Sequence, residues 1–278
     1  MQKILLLSAI SCTLFLSTHA QTLKTPSPST PQFIRQDFGL STVELSYSRP
    51  DVKGRKIFGD LVPFDKVWRT GANQATTLTF GDTVTIGSVT IAPGKYGLLT
   101  IPGADEWTFI ITRQTDVTNP TAYRQDQDIV RVQAAPHKLP FSVETLTLEF
   151  SNVTGNSCNL DLLWENVAVG IPISTNTDAK VMAQIGNTMN KDNHPYYQAA
   201  FYYLENGKDL NKALEWFDKA IAQDPTAYFA VYQKARCLAK LGRKQDAITT
   251  AKQSMDLAKQ AGNNDYVVLN QKLIASLQ

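Results

Sequence analysis

Between Arg49 and Asn73 the sequence gathers most of the groups able to hold a ligand. Six of the 13 basic residues between positions 21 and 175 fall there: Arg49, Lys53, Arg55, Lys56, Lys66 and Arg69. Asp51, Asp60 and Asp65 lie among them, and Trp68 directly precedes Arg69. A guanidinium offers parallel N–H donors to a carboxylate, and an indole offers an apolar face to a sugar ring. Asn73 adds a donor and an acceptor. Arg49, Lys53, Arg55, Lys66, Trp68, Arg69 and Asn73 are therefore the candidate ligand-binding residues, for a small or glycan-like ligand. The competing reading of the same block is scaffolding. In it Gly54, Gly59 and Gly71 set turns, while Ile57, Phe58, Leu61, Val62 and Val67 anchor a long loop over one end of a sandwich. Arg49 and Arg69 would then satisfy loop carbonyls and the three aspartates.

Catalytic chemistry has little to build on, and no catalytic residue is assigned. Beyond residue 20 the only histidines are His137 and His194, and no Gly-x-Ser-x-Gly element is present. A Ser-His-acid set meets only in space and stays open. No His-x-x-x-His or Cys-x-x-Cys spacing suggests a metal site, and no phosphate loop suggests a nucleotide cofactor, so neither a metal nor a cofactor is expected. Without residues 1–20 the chain carries 26 basic against 25 acidic residues. Nucleic acid and anionic membranes are bound through basic surplus, and neither is expected as a partner.

A second group of interest lies near the C-terminus. Phe229, Tyr232 and Arg236 recur at i, i+3 and i+7 on one predicted helix, and they are the candidate partner-binding residues for a protein contact.

The elements that must position these groups differ along the chain. Alternating apolar and polar residues, as in Val43, Leu45 and Tyr47, recur in short runs at 41–47, 76–80, 83–91, 96–101, 107–112, 129–132, 143–150, 160–164 and 167–171. Turn formers separate them, among them Gly81-Asp82, Pro93-Gly94, Pro102-Gly103, Pro136 and Pro140. Nine or ten strands without crossover helices predict an all-β antiparallel sandwich or barrel. After Ser174 the periodicity becomes helical, with a first helix over 178–189. A 34-residue repeat follows, matching Leu204 with Leu238, Ala213 with Ala247, Leu214 with Ile248, and Ile221 with Met255. This predicts an all-α tetratricopeptide-like helical-hairpin domain, in which Ala213 and Ala247 let paired helices approach closely. A capping helix is expected over 264–277, with Tyr266, Leu269 and Leu273 on one face.

Residues 1–20 read as a signal peptide: Lys3, an apolar core over 4–16, and cleavage after Ala20. Lipid anchoring at Cys12 is the weaker alternative. The expected domains are the signal over 1–20, a leader over 21–31, a β-sandwich domain over 32–174 and a helical repeat domain over 175–278. No segment predicts a transmembrane helix. Cys158 and Cys237 fall in different domains, so no disulfide is expected.

The stretch from Ser48 to Asn73, with Ala92-Pro93-Gly94-Lys95-Tyr96-Gly97-Leu98, Thr100-Ile101-Pro102, Glu106-Trp107 and Leu163-Trp164-Glu165, resembles a secreted bacterial family catalogued as domain of unknown function 2911. The resemblance covers roughly residues 28–173. It implies secretion and a β domain, and it carries over no catalytic residue. The leading expectation is an exported, periplasmic or extracellular envelope protein, non-enzymatic, that binds a ligand or serves assembly. A hydrolase of envelope polymers and a purely structural scaffold are the alternatives.

Overall fold

The computed structural model describes residues 25–191 and 194–278. The signal peptide expected over residues 1–20 and the start of the leader lie outside the described residues. Two compact units divide after Asn176.

The first unit is a β-sandwich of ten strands among the described residues. One sheet has the order β1 (Thr30–Phe38), β2 (Ser41–Arg49), β3 (Thr77–Phe80), β6 (Gly94–Ile101), β7 (Trp107–Thr112), β8 (Asp128–Ala134). The other has β5 (Val89–Ile91), β4 (Val84–Ile86), β10 (Ser157–Ser174), β9 (His137–Ser151). Every pairing is antiparallel. Alternation explains the core: Val43, Leu45 and Tyr47 of β2 point inward with Leu78, Phe80, Leu98, Phe109 and Ile111, against Leu146, Leu148, Leu160 and Leu162 of the facing sheet.

Three strands differ from the sequence expectation. Strand β1 begins at Thr30, inside the stretch assigned to the leader, and pairs along its full length with β2. Pro140 sits within β9 rather than in a turn; β9 is a sheet edge, where a missing N–H breaks no ladder. The runs at 160–164 and 167–171 are one strand, β10, interrupted by register shifts around Glu165, whose φ is +54°. Even-numbered residues from Cys158 to Trp164 are buried before the bulge, and odd-numbered Val169, Ile171 and Ile173 after it. Across these register shifts, in which β9 runs more residues than β10, the inward face has switched.

The second unit is helical: α1 (Asp178–Thr188), α2 (Tyr196–Glu205), α3 (Leu210–Gln223), α4 (Tyr228–Lys240), α5 (Lys244–Gln260) and α6 (Asn264–Leu277). The repeat forms two helical hairpins, α2–α3 and α4–α5, in which Ala213 and Ala247 are fully buried. Gly207 and Gly242 take positive φ just beyond α2 and α4, the conformation that ends a helix at lowest strain. Asp209 caps α3 by accepting from the Asn211 and Lys212 amides. On α6 Tyr266 and Leu273 are partly buried, as expected, and the exception is Leu269. Leu269 is 38% exposed, whereas Asn270 is fully buried and donates to Ser254 Oγ at 2.9 Å.

Candidate functional site

After Arg49 the chain leaves its first sheet and crosses to the second. Asp51 bridges Thr145 of β9, the Val52 amide donates to Glu144 O at 2.7 Å, and Pro50 O accepts from the Leu146 amide. The chain then turns tightly over 57–62, where the Val62 amide donates to Ile57 O and the Gly59 amide to Val62 O. Ile57, Phe58 and Val62 are buried in the end of the sandwich core. The returning limb takes the place of β3 beside the second half of β6: Trp68 and Thr100 exchange backbone hydrogen bonds of 2.7 and 3.0 Å. The loop is thus a plug held from both sheets.

Its packing is aromatic. Phe58 meets Trp107, Trp164 and Trp68 edge-on, with centroid distances of 4.9, 6.0 and 6.3 Å. Trp68 stacks on Trp164 at 5.8 Å with planes 15° apart, and its Nε1 donates to Gly71 O. Val67, its neighbour, turns the other way into a small cluster with Leu99, Ile110 and Val117 on the outer face of the six-stranded sheet. Four non-glycine residues of the loop, Lys53, Asp65, Thr70 and Asn73, have positive φ. Thr70 is fully buried and β-branched, for which this conformation is disfavoured; its hydroxyl shares a hydrogen bond with Thr100 Oγ1 at 3.0 Å. Backbone strain of this kind persists where packing over-determines it, and it clusters at ligand sites.

A cavity of about 480 Å³ opens between the limbs. Asp51, Lys53 and Arg55 line it from the outgoing limb, Lys66 to Arg69 from the returning one, Leu61 to Pro63 from the tip. Trp164 contributes from β10, and Pro28, Ser29 and Pro120 complete the rim. Five of the seven candidate ligand residues converge on it: Lys53, Arg55, Lys66, Trp68 and Arg69.

The other two do not line it. Arg49 donates from Nε to Leu146 O and from Nη2 to Thr147 Oγ1, both at 2.9 Å, and so clamps β2 to the opposite sheet. Asn73 is exposed and donates to Ser29 O at 3.3 Å, tethering the start of β1. Trp164 is the aromatic lining residue that the sequence reading did not single out as part of a site; alternation with Leu160 and Leu162 turns it inward.

Polar contacts around the cavity are uneven. Lys53 pairs with Asp51 at 3.4 Å. The hydrogen bond from Thr145 Oγ1, and then the nearby Lys53 and Arg49, hold the Asp51 carboxyl below its usual range. Arg55 donates to the backbone carbonyls of Val52 and Asp51. Arg69 donates from Nη1 to Thr118 O at 2.8 Å, while its Nε is shielded from solvent and has no acceptor in the structure. A shielded donor left unpaired costs about 1–3 kcal/mol. Among the described residues no carboxylate forms an ion pair with Arg55, Lys66 or Arg69. Asp60 and Asp65 are exposed and line no part of the cavity.

The remaining chemistry lies elsewhere. His137 is exposed at the start of β9. Tyr123, Asp128 and Arg131 form a hydrogen-bonded trio, in which burial and the Asp128 carboxylate push the Tyr123 phenol up to about 12. In the helical unit Phe229, Tyr232 and Arg236 are all half-buried. Phe229 packs edge-on to Tyr197 at 5.0 Å and Tyr232 to Tyr266 at 5.5 Å, while Arg236 pairs with Glu205 at 2.7 Å. Among the described residues no three His, Cys, Asp or Glu side chains gather as a metal site, and no helix is long and apolar enough to cross a membrane.

Residues 29–173 match the model of a family described as a protein of unknown function, DUF2911. No curated protein matches the chain. Two solved structures are similar to it over the helical part. One is a solution NMR structure of a tetratricopeptide repeat domain protein from Salinibacter ruber, 23% identical, covering 30% of this chain and 82% of that one, with a TM-score of 0.28. The other is a crystal structure of a tetratricopeptide repeat domain protein from Salinibacter ruber, 23% identical, covering 29% and 89%, with a TM-score of 0.27.

Proposed function

We propose, for a chain that belongs to the family of proteins of unknown function DUF2911, that its β unit is a non-catalytic binding module for a small ligand. The observation that carries this reading is the 480 Å³ cavity built by one loop, with five candidate ligand residues converging on it. Small-ligand pockets span about 300–1,000 Å³ and combine an apolar lining with a few placed polar groups. The Trp68–Trp164 stack supplies the first and the surrounding cations the second. A purely structural loop predicts no pocket lined by these residues.

Binding is favoured over hydrolysis by the acid–base inventory. Glycoside cleavage requires two carboxyl groups in complementary protonation states. Among the described residues Asp51 is the only carboxylate lining the cavity, and its hydrogen bond with Thr145 favours its ionised form. No histidine among the described residues lines the cavity. In the same reading the protein is exported and works in the envelope or beyond it. The helical unit serves a protein contact through the row that includes Phe229, Tyr232 and Arg236.

Thermal-shift screening of the chain from Gln21 onward, against glycans and peptidoglycan fragments, tests the pocket. A ligand at about 100 times its dissociation constant stabilises by about 2.7 kcal/mol. No shift across the panel, or a shift that survives Trp68→Ala unchanged, overturns the reading. Export is tested separately by N-terminal sequencing of the secreted product, expected to begin at Gln21.

A further inference from the structure

We infer that the ligand of this pocket carries an oxyanion attached to a ring with an apolar face. The inference rests on the binding reading above and adds the chemical class. Four cations and one carboxylate line the cavity, and the carboxylate is already paired with Lys53. Arg55, Lys66 and Arg69 therefore bring three positive charges without an anionic partner among the described residues. A cleft lined by one sign of charge concentrates the field and attracts the opposite sign.

Arg69 is the group best placed to recognise an oxyanion. Its bond to Thr118 O fixes the guanidinium at the cavity wall, and no carboxylate among the described residues neutralises it. A planar fork held this way matches the parallel oxygens of a carboxylate, and it also binds phosphate. Lys66, exposed and without a carboxylate partner, adds charge without a preferred geometry. The ring half of the ligand follows from Trp68 and Trp164. Both line the same cavity, but Trp164 is 1% exposed, so the accessible surface is that of Trp68, which stacks on it and is only partly buried. A sugar ring and an aromatic acid share the required chemistry: a flat or apolar face within reach of one oxyanion.

Isothermal titration of the chain from Gln21 onward, with matched pairs of compounds, separates the sources. The pairs are glucuronate with glucose, glucose 6-phosphate with glucose, and benzoate with benzyl alcohol; sodium sulfate serves as the ringless anion. The acidic member of at least one pair should bind roughly tenfold or more tightly than its neutral partner, the scale of one charge-assisted hydrogen bond. The preference should weaken as salt rises. Discrimination confined to the sugar pairs identifies an acidic sugar, and discrimination confined to the benzoate pair an aromatic acid; either supports the inference. Arg69→Met should abolish the preference. Should that variant fail to fold, Lys66→Gln on the exposed rim should reduce it.

Equal binding of acidic and neutral partners overturns the oxyanion. Sulfate binding as tightly as the ring acids overturns the ring. Failure of every probe here, with a peptidoglycan fragment still shifting the melting temperature, overturns the class and leaves the binding reading standing. Failure on both panels removes both.

Discussion

Phe58 lies in a loop yet should be as important to stability as a central strand residue. It is 6% exposed and meets three indoles edge-on, at 4.9, 6.0 and 6.3 Å. Truncating a buried phenylalanine to alanine costs about 3–5 kcal/mol through lost burial and the cavity left behind. Each aromatic pair adds about 0.5–1.5 kcal/mol, but three pairs sharing one ring are not independent. Phe58→Ala should therefore destabilise the β unit by about 4 kcal/mol, the middle of the truncation range. For a domain of this size each kcal/mol lowers the melting temperature by roughly 2–4 °C, so the expected drop is on the order of 10 °C. Near-ultraviolet circular dichroism follows the right unit, because Trp68, Trp107 and Trp164 all belong to it and only Trp216 does not. Leu61→Ala, at a residue 46% exposed in the same turn, is the control and should stay within about 0.5 kcal/mol of the parent. Equal effects from the two substitutions would refute the reasoning. The loop would then lie over a finished core rather than complete it, and the cavity wall would lose its support.

Tyr123 should make stability depend on alkaline pH. Its phenol titrates near 12 in the folded chain against an ordinary value of 10.0, so the neutral form is favoured by folding. That contribution is fully present below pH 10 and is lost as pH rises toward 12. Two units correspond to about 2.7 kcal/mol, and solvent screening of a partly exposed phenol reduces this to about 1 kcal/mol. Urea midpoints of the parent and Tyr123→Phe should converge across that window; a constant difference would contradict the assignment. Asn270→Asp should destabilise the helical unit by about 3 kcal/mol, because a buried carboxylate would replace an amide that donates to Ser254 Oγ and Tyr266 O. Urea unfolding followed by the far-ultraviolet helix signal measures it, and Asn270→Leu should cost less. Cys158 and Cys237 are both buried, and burial pushes the Cys158 thiol up to about 11 and raises that of Cys237. Neither should react with a disulfide reagent at neutral pH until the protein is unfolded, and rapid native labelling would show that burial is wrong.

The loop was legible as a candidate site because its charge density and tryptophan have no compositional explanation. What the sequence could not separate was Arg49 from Arg69. Both are arginines of the same block, and their fates depend on what lies across from them: carbonyls of β9 for Arg49, and for Arg69 one carbonyl at the cavity rim. Trp164 was hidden for a different reason. Alternation with Leu160 and Leu162 puts it inward on β10, but nothing in the sequence brings that strand beside the distant loop. Strand β1 lacked a clean pattern because its inward positions are Gln32, Ile34, Gln36 and Phe38, half of them polar at a sheet edge. Helical periodicity was more forgiving. It placed α6 over the expected residues and missed only that an asparagine, donating to Ser254 Oγ, occupies the inward position beside Leu269.

The arrangement of cations around the cavity follows from the way the loop is anchored. Val52 precedes Lys53, Ile57 follows Lys56, Val67 follows Lys66, and Trp68 precedes Arg69. Burying one residue of each pair leaves its partner outside, by alternation where the backbone is extended, as at Trp68, and by the left-handed turn at Lys53. Val52 and Ile57 are buried, and Val67 and Trp68 are partly buried, in two different apolar clusters. Lys53, Lys56 and Lys66 are exposed accordingly. Three of the four cations so displaced line the cavity, and Lys56 does not. The apolar anchors and the charged wall are therefore one design, in which hydrophobic burial supplies the force that holds like charges together. Filling the cavity with an anion would relieve that repulsion without moving an anchor. Weakening an anchor, by contrast, should disperse the charges and lower anion affinity even though no ligand contact has been removed.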